Sequence, residues 1–396
     1  MKPIPSGSTI GILGGGQLGR YLVIAAQHLG YRVMVLDPDP GCPAGQVGAQ
    51  LLVGAYDDPS LIQQMAEHCV VVTYEFENVP TSAIKQLVAA GIPVRPGLKA
   101  LEVAQNRVQE KTWCRNLGIP TAPFYPVANH EDFLKAIEDL GCPILFKTAS
   151  GGYDGKGQRL LRDLRDSDSV WADLGAGRIP LIAEGWIAFT MEVAIIVSRS
   201  VDGDVTYFPV VKNVHDQGIL DLTVAPAPVT DDVRRTAEEY AGRLAEALEL
   251  VGILAVEFFV DSDGKLLVNE MAPRPHNSGH YTLEATSVSQ FEQQIRAVTE
   301  LPLAYPTLLH PAAMVNLLGQ LWANTEGALP LERALAVTGS HVYLYGKKKP
   351  RVGRKMGHIT VVAESPERAV ERALKARHGV DLNVAERDGL DYLGRV

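Results

Sequence analysis

The sequence lacks the features that mark several specialised classes of protein. Its four cysteines, Cys42, Cys69, Cys114 and Cys142, contain no Cys-x-x-Cys pair, so neither a disulfide framework nor a zinc site is indicated. No apolar run approaches the roughly 20 residues that span a bilayer, and the N-terminal residues enter a predicted strand without the layout of a signal peptide. We therefore expect a cytoplasmic protein, without a membrane partner, whose cysteines are buried or incidental thiols.

A surplus of basic charge is also absent. The chain has 37 Lys and Arg against 46 Asp and Glu, a formal net charge of -9. This balance argues against nucleic acid as a general partner, because binding to a phosphate backbone needs clustered Lys and Arg. The 396 residues are 46% hydrophobic and 21% charged, which is typical of an ordinary globular protein with about two to four domains.

The first hundred residues alternate strand and helix, a pattern that predicts a doubly wound parallel sheet. Between the first strand and a helix at 18–29 stand Gly14, Gly16 and Gly19, with Asp37 further on. This arrangement is the fingerprint of a dinucleotide-binding fold. An NAD-dependent oxidoreductase would use the loop for pyrophosphate and Asp37 for a ribose hydroxyl. Binding of a phosphomonoester, or a purely structural role, stays open because a fold does not fix a function.

Two acidic residues follow the next predicted strand, at 70–74. Glu75 and Glu77 come directly after it, at the strand end that faces the ligand crevice of an open α/β sheet. Either carboxylate could hold a hydroxyl or amine of a substrate. The alternative is that these acids cap the helix that begins near Thr81.

A glycine-rich connection lies between two predicted strands further along. After a predicted helix at 99–117, strand 143–148 carries Lys147, and residues 149–158 lead to strand 159–161. Backbone N–H groups and ammonium groups in such a flap can cradle phosphates. A Walker A loop is excluded, since that motif leads into a helix. Asp154-Gly155 would suit a plain hairpin turn, but such a turn does not need so long a connection.

Strand 181–184 leads into Gly185, Trp186 and Ile187, and Glu192 follows in another apolar strand. A strand edge beside Trp186 and Ile187 could accept a planar purine. The alternative for Trp186 is an ordinary core position. His215, taken alone, is interpreted as a polar loop residue.

Two glutamates mark the most informative hairpin. Apolar strands flank the turn Asp261-Ser262-Asp263-Gly264, which pairs Glu257 with Glu270 or Asn269. Like charges that face each other across a ladder are destabilising, so a cation between them is expected. Magnesium prefers one or two carboxylates together with substrate phosphates. A solvated hairpin with unpaired surface acids is the alternative.

Blocks along almost the whole chain resemble the N5-carboxyaminoimidazole ribonucleotide synthetases, a family of the ATP-grasp superfamily. The blocks are GGGQLGR at 14–20, YEFENVP at 74–80, Asn106-Arg107 with Lys111, SGGYDGKGQ at 150–158, NEMAPRPHNSGH at 269–280, SQFEQQIRAV at 289–298, and YGK with RVGRKMGHI at 345–359. Two small departures are Val352, where the family usually has proline, and Asn106, where it often has aspartate. Neither removes a charged ligand.

The resemblance implies a mixed α/β and α+β architecture. We expect a Rossmann-like N-terminal domain at 1–98, and a central ATP-grasp domain at 99–300 with a small lobe at about 120–185. A small β-rich C-terminal domain is expected at 301–396. The family tends to form homodimers.

The same resemblance implies that ATP, bicarbonate and 5-aminoimidazole ribonucleotide give the carboxylated ribonucleotide, ADP and phosphate. Glu257 and Glu270 would hold Mg²⁺. The implied ATP contacts are Arg107, Lys147, Gly152, Tyr153, Asp154, Gly155, Lys156, Gly157, Gln158, Glu184, Gly185, Trp186, Ile187, Glu192, His215, Asn269 and Glu270. The implied residues around the reacting groups and the ribonucleotide are Arg274, His276, Asn277, Lys347, Arg354, Tyr153, Asp154 and Glu75. Among them, Arg274 is expected to clamp carboxyphosphate, because a guanidinium binds planar oxyanions through parallel bonds.

Other functions are alternatives at this point. A formate-dependent glycinamide ribonucleotide transformylase or a biotin carboxylase-like enzyme would share the glutamate pair, but should differ at SGGYDGKGQ and in the C-terminal blocks. An NAD-dependent oxidoreductase explains only the first 40 or so residues. A non-catalytic nucleotide-binding protein would lose the metal ligands, whereas Glu257 and Glu270 are both present.

Overall fold

The computed structural model describes residues 2–152, 157–323, 325 and 328–381, and three β-sheets are formed within them. The strands are β1 Thr9–Leu13, β2 Arg32–Asp37, β3 Gln50–Val53, β4 Val71–Tyr74, β5 Phe124–Val127, β6 Ile144–Thr148, β7 Gln158–Leu161, β8 Leu181–Gly185, β9 Phe189–Arg199, β10 Val205–Tyr207, β11 Val211–Asp216, β12 Ile219–Ala225, β13 Gly252–Asp261, β14 Leu266–Ala272, β15 Ala312–Leu318, β16 Ser340–Leu344 and β17 Lys355–Val362.

Helices connect and cover these strands. The α-helices are α1 Gln17–His28, α2 Pro59–His68, α3 Thr81–Ala89, α4 Leu98–Ala104, α5 Arg107–Asn116, α6 His130–Leu140, α7 Ser167–Asp173, α8 Asp231–Ala247, α9 Thr282–Ala285, α10 Gln290–Val298, α11 Leu331–Leu335 and α12 Pro366–Val380. Short 3₁₀ turns are formed at Gly45–Val47, Leu164–Asp166, Asn277–Gly279 and Gly319–Trp322.

The N-terminal sheet is parallel throughout, in the order β3-β2-β1-β4. Its central strands read as almost continuous apolar runs because helices cover both faces. Ile10, Ile12 and Val35 are fully buried on the side of α1. The predicted doubly wound parallel sheet is confirmed.

The single helix predicted for residues 99–117 is wrong. The structure has two helices there, α4 and α5, separated at Gln105 and Asn106. The Asn106 side chain accepts hydrogen bonds from the backbone N–H groups of Val108 and Gln109, at 3.0 and 3.1 Å. An asparagine in this N-cap position starts a new helix, and it places Arg107 at the first turn of α5.

A small antiparallel sheet follows, with strand order β5-β8-β6-β7. Leu145 of β6 pairs with Glu184 of β8, and Lys147 pairs with Gln158 of β7. Phe133 of α6 packs on Phe146 of β6, with ring centroids 4.6 Å apart. The strands predicted on either side of the glycine-rich connection are therefore confirmed.

The large sheet runs in the order β14-β13-β9-β11-β12-β15-β17-β16, with β10 added on β9. Its C-terminal strands continue the central sheet, because β15 pairs with β12 at Leu222 and Val315. Helix α12 packs on β15 and β17 around Val370 and Ala373. The C-terminal region is thus β-rich, and it shares one sheet with the central region.

The cysteines agree with the expectation of incidental thiols. Cys42, Cys69 and Cys114 are buried, Cys142 is exposed, and all four are unpaired with one another. Burial raises the pKa of the Cys69 and Cys114 thiols to about 12, so neither is a ready nucleophile. Within the described part of the chain, no helix combines the length and the apolar character needed to cross a membrane.

Two histidines are buried where the N-terminal helix α1 meets the C-terminal strands. His280 and His358 are both 0% exposed, and their ring centroids lie 4.7 Å apart. The Tyr345 hydroxyl lies 2.9 Å from His358 Nδ1, and Tyr21 of α1 packs against both rings. Burial lowers the pKa of His280 to about 3 and that of His358 well below its ordinary value. Both imidazoles are therefore neutral in the folded protein.

We expect this pair to make the fold sensitive to acid. The unfolded chain binds a proton to each imidazole near pH 6.5, whereas the folded chain does not. The free energy of unfolding should therefore fall by about 1.4 kcal/mol per pH unit for each buried histidine as the pH drops from 6.5 toward 4. Chemical denaturation at several pH values measures this slope. In His358→Asn the slope should be shallower by about 1.4 kcal/mol per pH unit, the contribution of one proton. Equal slopes of unfolding free energy against pH for the two proteins would contradict the expectation.

Candidate active site

Four neighbouring strands of the large sheet each contribute one ionisable residue to the same region. Glu270 lies on β14, Glu257 on β13, Glu192 on β9 and His215 on β11. Antiparallel pairing places Ala194 of β9 opposite Glu257, so Glu192, two residues earlier, lies on the same face of the sheet. The pleat therefore gathers these side chains from segments that are up to 78 residues apart in the sequence.

Glu257 and Glu270 are direct partners across the β13–β14 ladder. Of the two pairings predicted for Glu257, the one with Glu270 is confirmed. Glu257 is buried, and its Oε1 accepts a 3.4 Å hydrogen bond from Asn213. Burial, together with the Glu270 carboxylate, raises the pKa of Glu257. Two carboxylates that repel each other in this way form a site that a cation would stabilise.

The donor set fits magnesium. Mg²⁺ is held by one or two carboxylates together with substrate phosphates, and it prefers hard oxygen ligands. The structure offers two carboxylates and the half-buried amide of Asn269 beside them. Among the described residues, no three His, Cys, Asp or Glu side chains converge into a complete cage. Glu257, Glu270 and Asn269 therefore supply hard oxygen ligands of the kind that Mg²⁺ prefers.

Glu192 and His215 form an ion pair between β9 and β11, through His215 Nδ1 and Glu192 Oε2. Burial alone would lower the pKa of His215, but the bond to Glu192 and the Glu257 charge outweigh it and raise this pKa to about 9. The imidazole is therefore cationic at neutral pH. The interpretation of His215 as a loop residue is wrong, since it lies within β11.

Two lysines flank Glu184 of β8, namely Lys147 of β6 and Lys111 of α5. Lys147 Nζ donates to Glu184 Oε2 at 2.8 Å, and Lys111 Nζ lies 3.6 Å from Glu184 Oε1. Although burial alone would raise the pKa of Glu184, these ammonium groups lower it to about 2. Glu184 therefore orients the lysine that precedes the glycine-rich connection. A bound anion such as a nucleotide phosphate would compete with Glu184 for the Lys147 ammonium group.

Arg107 holds the start of that connection. Its guanidinium donates to the carbonyl oxygens of Thr148 and Gly152, at 3.2 and 2.7 Å. Gly157 O accepts from the Thr148 N–H at 2.8 Å, and Gln158 follows in β7. The other predicted residues of this flap lie outside the described part of the chain, namely Tyr153, Asp154, Gly155 and Lys156.

The predicted adenine edge is at the end of β8. Gly185 closes the strand, and its N–H donates to Pro123 O at 2.8 Å. Trp186 is 49% exposed, so its interpretation as a core residue is wrong, and Ile187 is half-buried. This exposed aromatic surface lies directly after Glu184.

Arg274 is anchored by an acid from the N-terminal domain. Its Nε donates to Glu77 Oε2, and its Nη1 donates to Pro275 O at 2.9 Å. Although burial alone would raise the pKa of Glu77, the Arg274 guanidinium holds it below the ordinary value. One edge of the guanidinium is therefore fixed by Glu77. This contact also corrects the alternative in which Glu77 caps α3, since that helix begins without a side-chain cap.

His276 lies between Arg274 and the carboxylates. Its Nδ1 is 3.7 Å from Glu257 Oε1 and 2.8 Å from Ser278 Oγ. Burial, and the positive charges of Arg274 and Lys355, hold the pKa of His276 well below its ordinary value. The imidazole is therefore neutral in the folded protein, and its Nδ1 accepts from the Ser278 N–H at 3.3 Å.

Asn277 is the next predicted residue, and it is buried. Asn316 donates to Asn277 Oδ1 at 2.6 Å, and Asn277 Nδ2 lies 3.2 Å from Asn316 Oδ1. Its amide is thus engaged with β15. Its predicted place among the reacting residues stays a prediction.

The two predicted C-terminal residues flank a turn before β17. Lys347 Nζ donates to Lys355 O at 2.8 Å, and Arg354 Nη1 donates to Lys349 O at 2.8 Å. Lys347 also acts electrostatically on Glu75 of the N-terminal domain. Val352, the departure from the family pattern, is 87% exposed. The basic run therefore borders the N-terminal domain at Lys347.

The glycine loop already holds acidic side chains of the protein itself. Glu75 accepts from the N–H groups of Gly16 and Gly19, at 2.5 and 2.8 Å. Asp37 accepts from the Gly15 N–H at 2.7 Å and from the Tyr56 hydroxyl at 2.9 Å. A carboxylate at the N-terminus of α1 takes the place that a pyrophosphate would need.

The NAD-dependent oxidoreductase interpretation is therefore wrong, because Glu75 already accepts from the N–H groups that would bind the pyrophosphate. The Glu75 oxygens keep further lone pairs, so its predicted contact with a ribonucleotide stays a prediction. The alternative in which Glu75 caps α3 is wrong, since it caps α1.

The sequence motifs gave no role to several groups that the structure places here. Glu110 is buried and accepts from the Met271 N–H, and the adjacent Lys111 is 1% exposed. Burial raises the pKa of Glu110 to about 8. Lys355 acts electrostatically on both Glu257 and His276. Lys111 and Lys355 belong to sequence blocks that carry the family resemblance, so the sequence marked them as candidates. Those blocks do not show which distant residues the two lysines contact.

Three successive stretches of the chain match known protein domains. The ribonucleotide synthetase preATP-grasp domain matches residues 7–105, the ATP-grasp domain matches 112–291, and the phosphoribosylaminoimidazole carboxylase C-terminal domain matches 312–372. The N5-carboxyaminoimidazole ribonucleotide synthase of Bacillus subtilis is 42% identical over 366 residues, which cover 92% of this chain and 94% of the relative. The chain belongs to the N5-carboxyaminoimidazole ribonucleotide synthase family.

Solved structures of this family share the fold. An N5-carboxyaminoimidazole ribonucleotide synthetase in complex with ADP is similar with a TM-score of 0.89 and 43% identity, over 96% of this chain and 98% of that one. The enzyme of Aspergillus clavatus in complex with ADP and 5-aminoimidazole ribonucleotide gives 0.85 and 34%, over 95% and 99%. Members of this N5-carboxyaminoimidazole ribonucleotide synthase family are ATP-grasp ligases, and the expected fold class of this chain is confirmed.

Proposed function

We propose that the chain carboxylates the exocyclic amine of 5-aminoimidazole ribonucleotide, using ATP and bicarbonate and forming N5-carboxyaminoimidazole ribonucleotide, ADP and phosphate. The observation that carries the proposal is the similarity of the whole chain to synthases of this name, across three successive domains. The Aspergillus clavatus enzyme binds both ADP and the aminoimidazole ribonucleotide. The reaction belongs to purine biosynthesis.

The chemistry explains why ATP is needed. Bicarbonate is a poor electrophile, so one of its oxygens first attacks the γ-phosphorus of ATP, and ADP leaves with the bridging oxygen. The amine nitrogen then attacks the carbon of the resulting carboxyphosphate, or of carbon dioxide released from it. Phosphate leaves, and the nitrogen loses a proton. A labile intermediate of this kind requires a closed site from which water is excluded, which is the role proposed for the glycine-rich flap.

The phosphate end of the site follows from the contacts described above. Glu257 and Glu270 would hold Mg²⁺, which when bound neutralises charge on the transferring phosphoryl group. Arg107 and Lys147 lie beside the flap and supply positive charge there. Glu184 and the residues after it would hold the adenine, while Glu192 would reach the ribose.

The reacting end would be formed by the loop after β14. Arg274 presents a guanidinium oriented by Glu77, which suits the planar oxyanion of bicarbonate or carboxyphosphate. The neutral imidazole of His276 follows Arg274 in the same loop, where bicarbonate and the amine of the ribonucleotide would meet. Lys347 and Arg354 would bind the ribonucleotide phosphate, with Tyr153 and Asp154 of the flap and Glu75 on the same substrate.

The proposal also includes location and assembly. We place the protein in the cytoplasm as a homodimer, with the domain limits near residues 98 and 300. The matched domains at residues 7–105, 112–291 and 312–372 support these limits. Light scattering during size-exclusion chromatography would measure the mass of the assembly.

The reaction is tested by ADP release from ATP and Mg²⁺, with the aminoimidazole ribonucleotide and bicarbonate each present or omitted. We expect release that depends on the ribonucleotide and is stimulated by bicarbonate. If folded protein that binds ATP shows no dependence on the ribonucleotide, the substrate assignment is wrong and another ATP-grasp ligase must be sought.

Arg354→Ala should chiefly raise the KM for the ribonucleotide, by about 10-fold or more, because a charge-assisted hydrogen bond to phosphate contributes about 1.5–3 kcal/mol. The KM for ATP should stay within about twofold of the parent. Steady-state kinetics with each substrate varied in turn measures both constants. Arg351→Ala, in the same basic run and exposed, is the matched control. If the KM for ATP rose instead, the basic segment around Arg354 would bind the nucleotide rather than the ribonucleotide.

A further inference from the structure

A β-bulge shapes the strand that carries Glu270. Along the β13–β14 ladder, Glu257 pairs with Glu270 while the next residue, Phe258, pairs with Val268. Asn269 is thus the extra residue, left without a partner in the ladder. A bulge of this type re-aims side chains, and bulges are frequent next to active sites.

The bulge has a visible effect on the side chains. In regular alternation only every second residue faces the site. Here Val268 and Met271 are buried in the core, while the two consecutive residues between them, Asn269 and Glu270, are half-buried and exposed. The bulge is therefore what presents an amide and a carboxylate together on the side of Glu257.

Two adjacent ionisable residues of α5 bind the backbone at this bulge. Lys111 Nζ donates to Val268 O at 3.1 Å and to Asn269 O at 2.7 Å. Glu110 accepts from the Met271 N–H at 2.5 Å. The groups on either side of Glu270, which a disrupted ladder would leave without partners, are satisfied by these two side chains.

Both side chains are buried, and burial of a polar or ionisable group is unfavourable unless it finds hydrogen-bond partners. Glu110 is 3% exposed and Lys111 is 1% exposed. Lys111 also lies 3.6 Å from Glu184 Oε1, an oxygen that lacks any hydrogen-bond partner among the described residues. The Lys111 ammonium thus joins the strand of Glu270 to the strand that ends at the adenine edge.

We propose that Glu110 and Lys111 are positioning residues that fix the bulge of β14, and through it the direction of the Glu270 carboxylate toward a divalent cation. The proposal rests on the function proposed above, in which Glu257 and Glu270 hold that cation. Mg²⁺ demands near-ideal octahedral geometry, so a shifted Glu270 would bind it more weakly even though every direct ligand is still present.

The test compares two substitutions at one position in the full chain. Glu110→Asp keeps a carboxyl group but withdraws it from the Met271 N–H by one methylene, whereas Glu110→Gln keeps the reach and an acceptor oxygen. Binding of Mn²⁺, used as a paramagnetic probe in the presence of ADP, is measured without turnover. We expect Glu110→Asp to weaken Mn²⁺ binding about 10–100-fold, and Glu110→Gln to stay within about threefold of the parent.

Kinetics separates positioning from a general loss of structure. In Glu110→Asp the Mg²⁺ concentration required for half-maximal rate should rise by a similar factor, while the KM for the ribonucleotide stays within about twofold. Parental Mn²⁺ affinity in folded Glu110→Asp, or equal weakening in Glu110→Gln, would overturn the proposal. Should Glu110→Asp fail to fold, Lys111→Arg replaces it; the larger guanidinium displaces the two carbonyls, and unchanged Mn²⁺ binding would likewise overturn the proposal.

Failure of the positioning role and failure of the proposed reaction would give different results. A parent chain that binds Mn²⁺ with ADP but shows no ADP release dependent on the ribonucleotide would disprove the proposed substrate. The Mn²⁺ comparison between Glu110→Asp and Glu110→Gln would still decide whether α5 positions Glu270.

Discussion

Glu270→Gln is expected to reduce ribonucleotide-dependent ADP release by at least about 10³-fold, which corresponds to about 4 kcal/mol of lost transition-state stabilisation. The substitution removes one of the two carboxylates that face each other across the β13–β14 ladder. A neutral amide is a weaker ligand for a hard cation, and it leaves charge on the transferring phosphoryl group less well neutralised. The rate is measured at saturating ATP, bicarbonate and ribonucleotide.

The same substitution should not destabilise the fold. Glu257 and Glu270 repel each other in the absence of a cation. Neutralising one of two like charges that face each other stabilises a ladder by about 0.2–1 kcal/mol. The midpoint of chemical denaturation without Mg²⁺ should therefore be unchanged or slightly higher. Asp263→Asn, at the exposed turn of the same hairpin, is the matched control and should keep full activity. Parental turnover in Glu270→Gln would refute the metal assignment.

Arg274→Lys is expected to lower kcat by about 10²–10³-fold, the loss that follows removal of an oriented donor to a developing oxyanion. Lysine retains the positive charge beside Glu77 but not the planar fork that binds an oxyanion through two parallel bonds. Because Glu77 keeps a cationic partner, the fold should be retained. Initial rates with bicarbonate and ribonucleotide varied separately measure the effect.

The KM for ATP distinguishes a reacting-end role from a nucleotide-binding role. It should stay within about threefold of the parent in Arg274→Lys, because the proposed adenine contacts lie at the end of β8 and the proposed phosphate contacts Arg107 and Lys147 lie on α5 and β6. Arg296→Lys, which alters another arginine ion pair at an i,i+4 spacing on α10, controls for the substitution itself. A parental kcat in Arg274→Lys, or an effect confined to the KM for ATP, would remove Arg274 from the reacting end.

Much of the site could be predicted from the sequence because its signals are local. The turn at Asp261–Gly264 and the flanking apolar strands predicted the hairpin, and the hairpin brought Glu257 opposite Glu270. The same holds for Lys147, which lies in a predicted strand just before a glycine-rich connection. In each case the period of the strand and the length of the turn fix which residues meet.

Other predictions were wrong because a short segment of sequence does not show which distant residues it will contact. A helical pattern at 99–117 gave no sign that Asn106 would cap a second helix rather than continue the first. The GxGxxG loop matched a dinucleotide site, yet Glu75, 56 residues beyond Gly19, fills the N-terminus of α1. A carboxylate from within the chain satisfies the same N–H groups as a bound phosphate would.

The sequence by itself determined the order of the domains, the strands that carry the functional side chains and the family to which the chain belongs. Local periodicity, turn chemistry and contiguous blocks are sufficient for that. Only the tertiary structure decided which charges from distant segments meet. Arg274 binds an acid 197 residues away, and Lys111 supports a bulge 157 residues away. Such contacts depend on how the three sheets pack together, and the free energy of a buried charge depends on that packing.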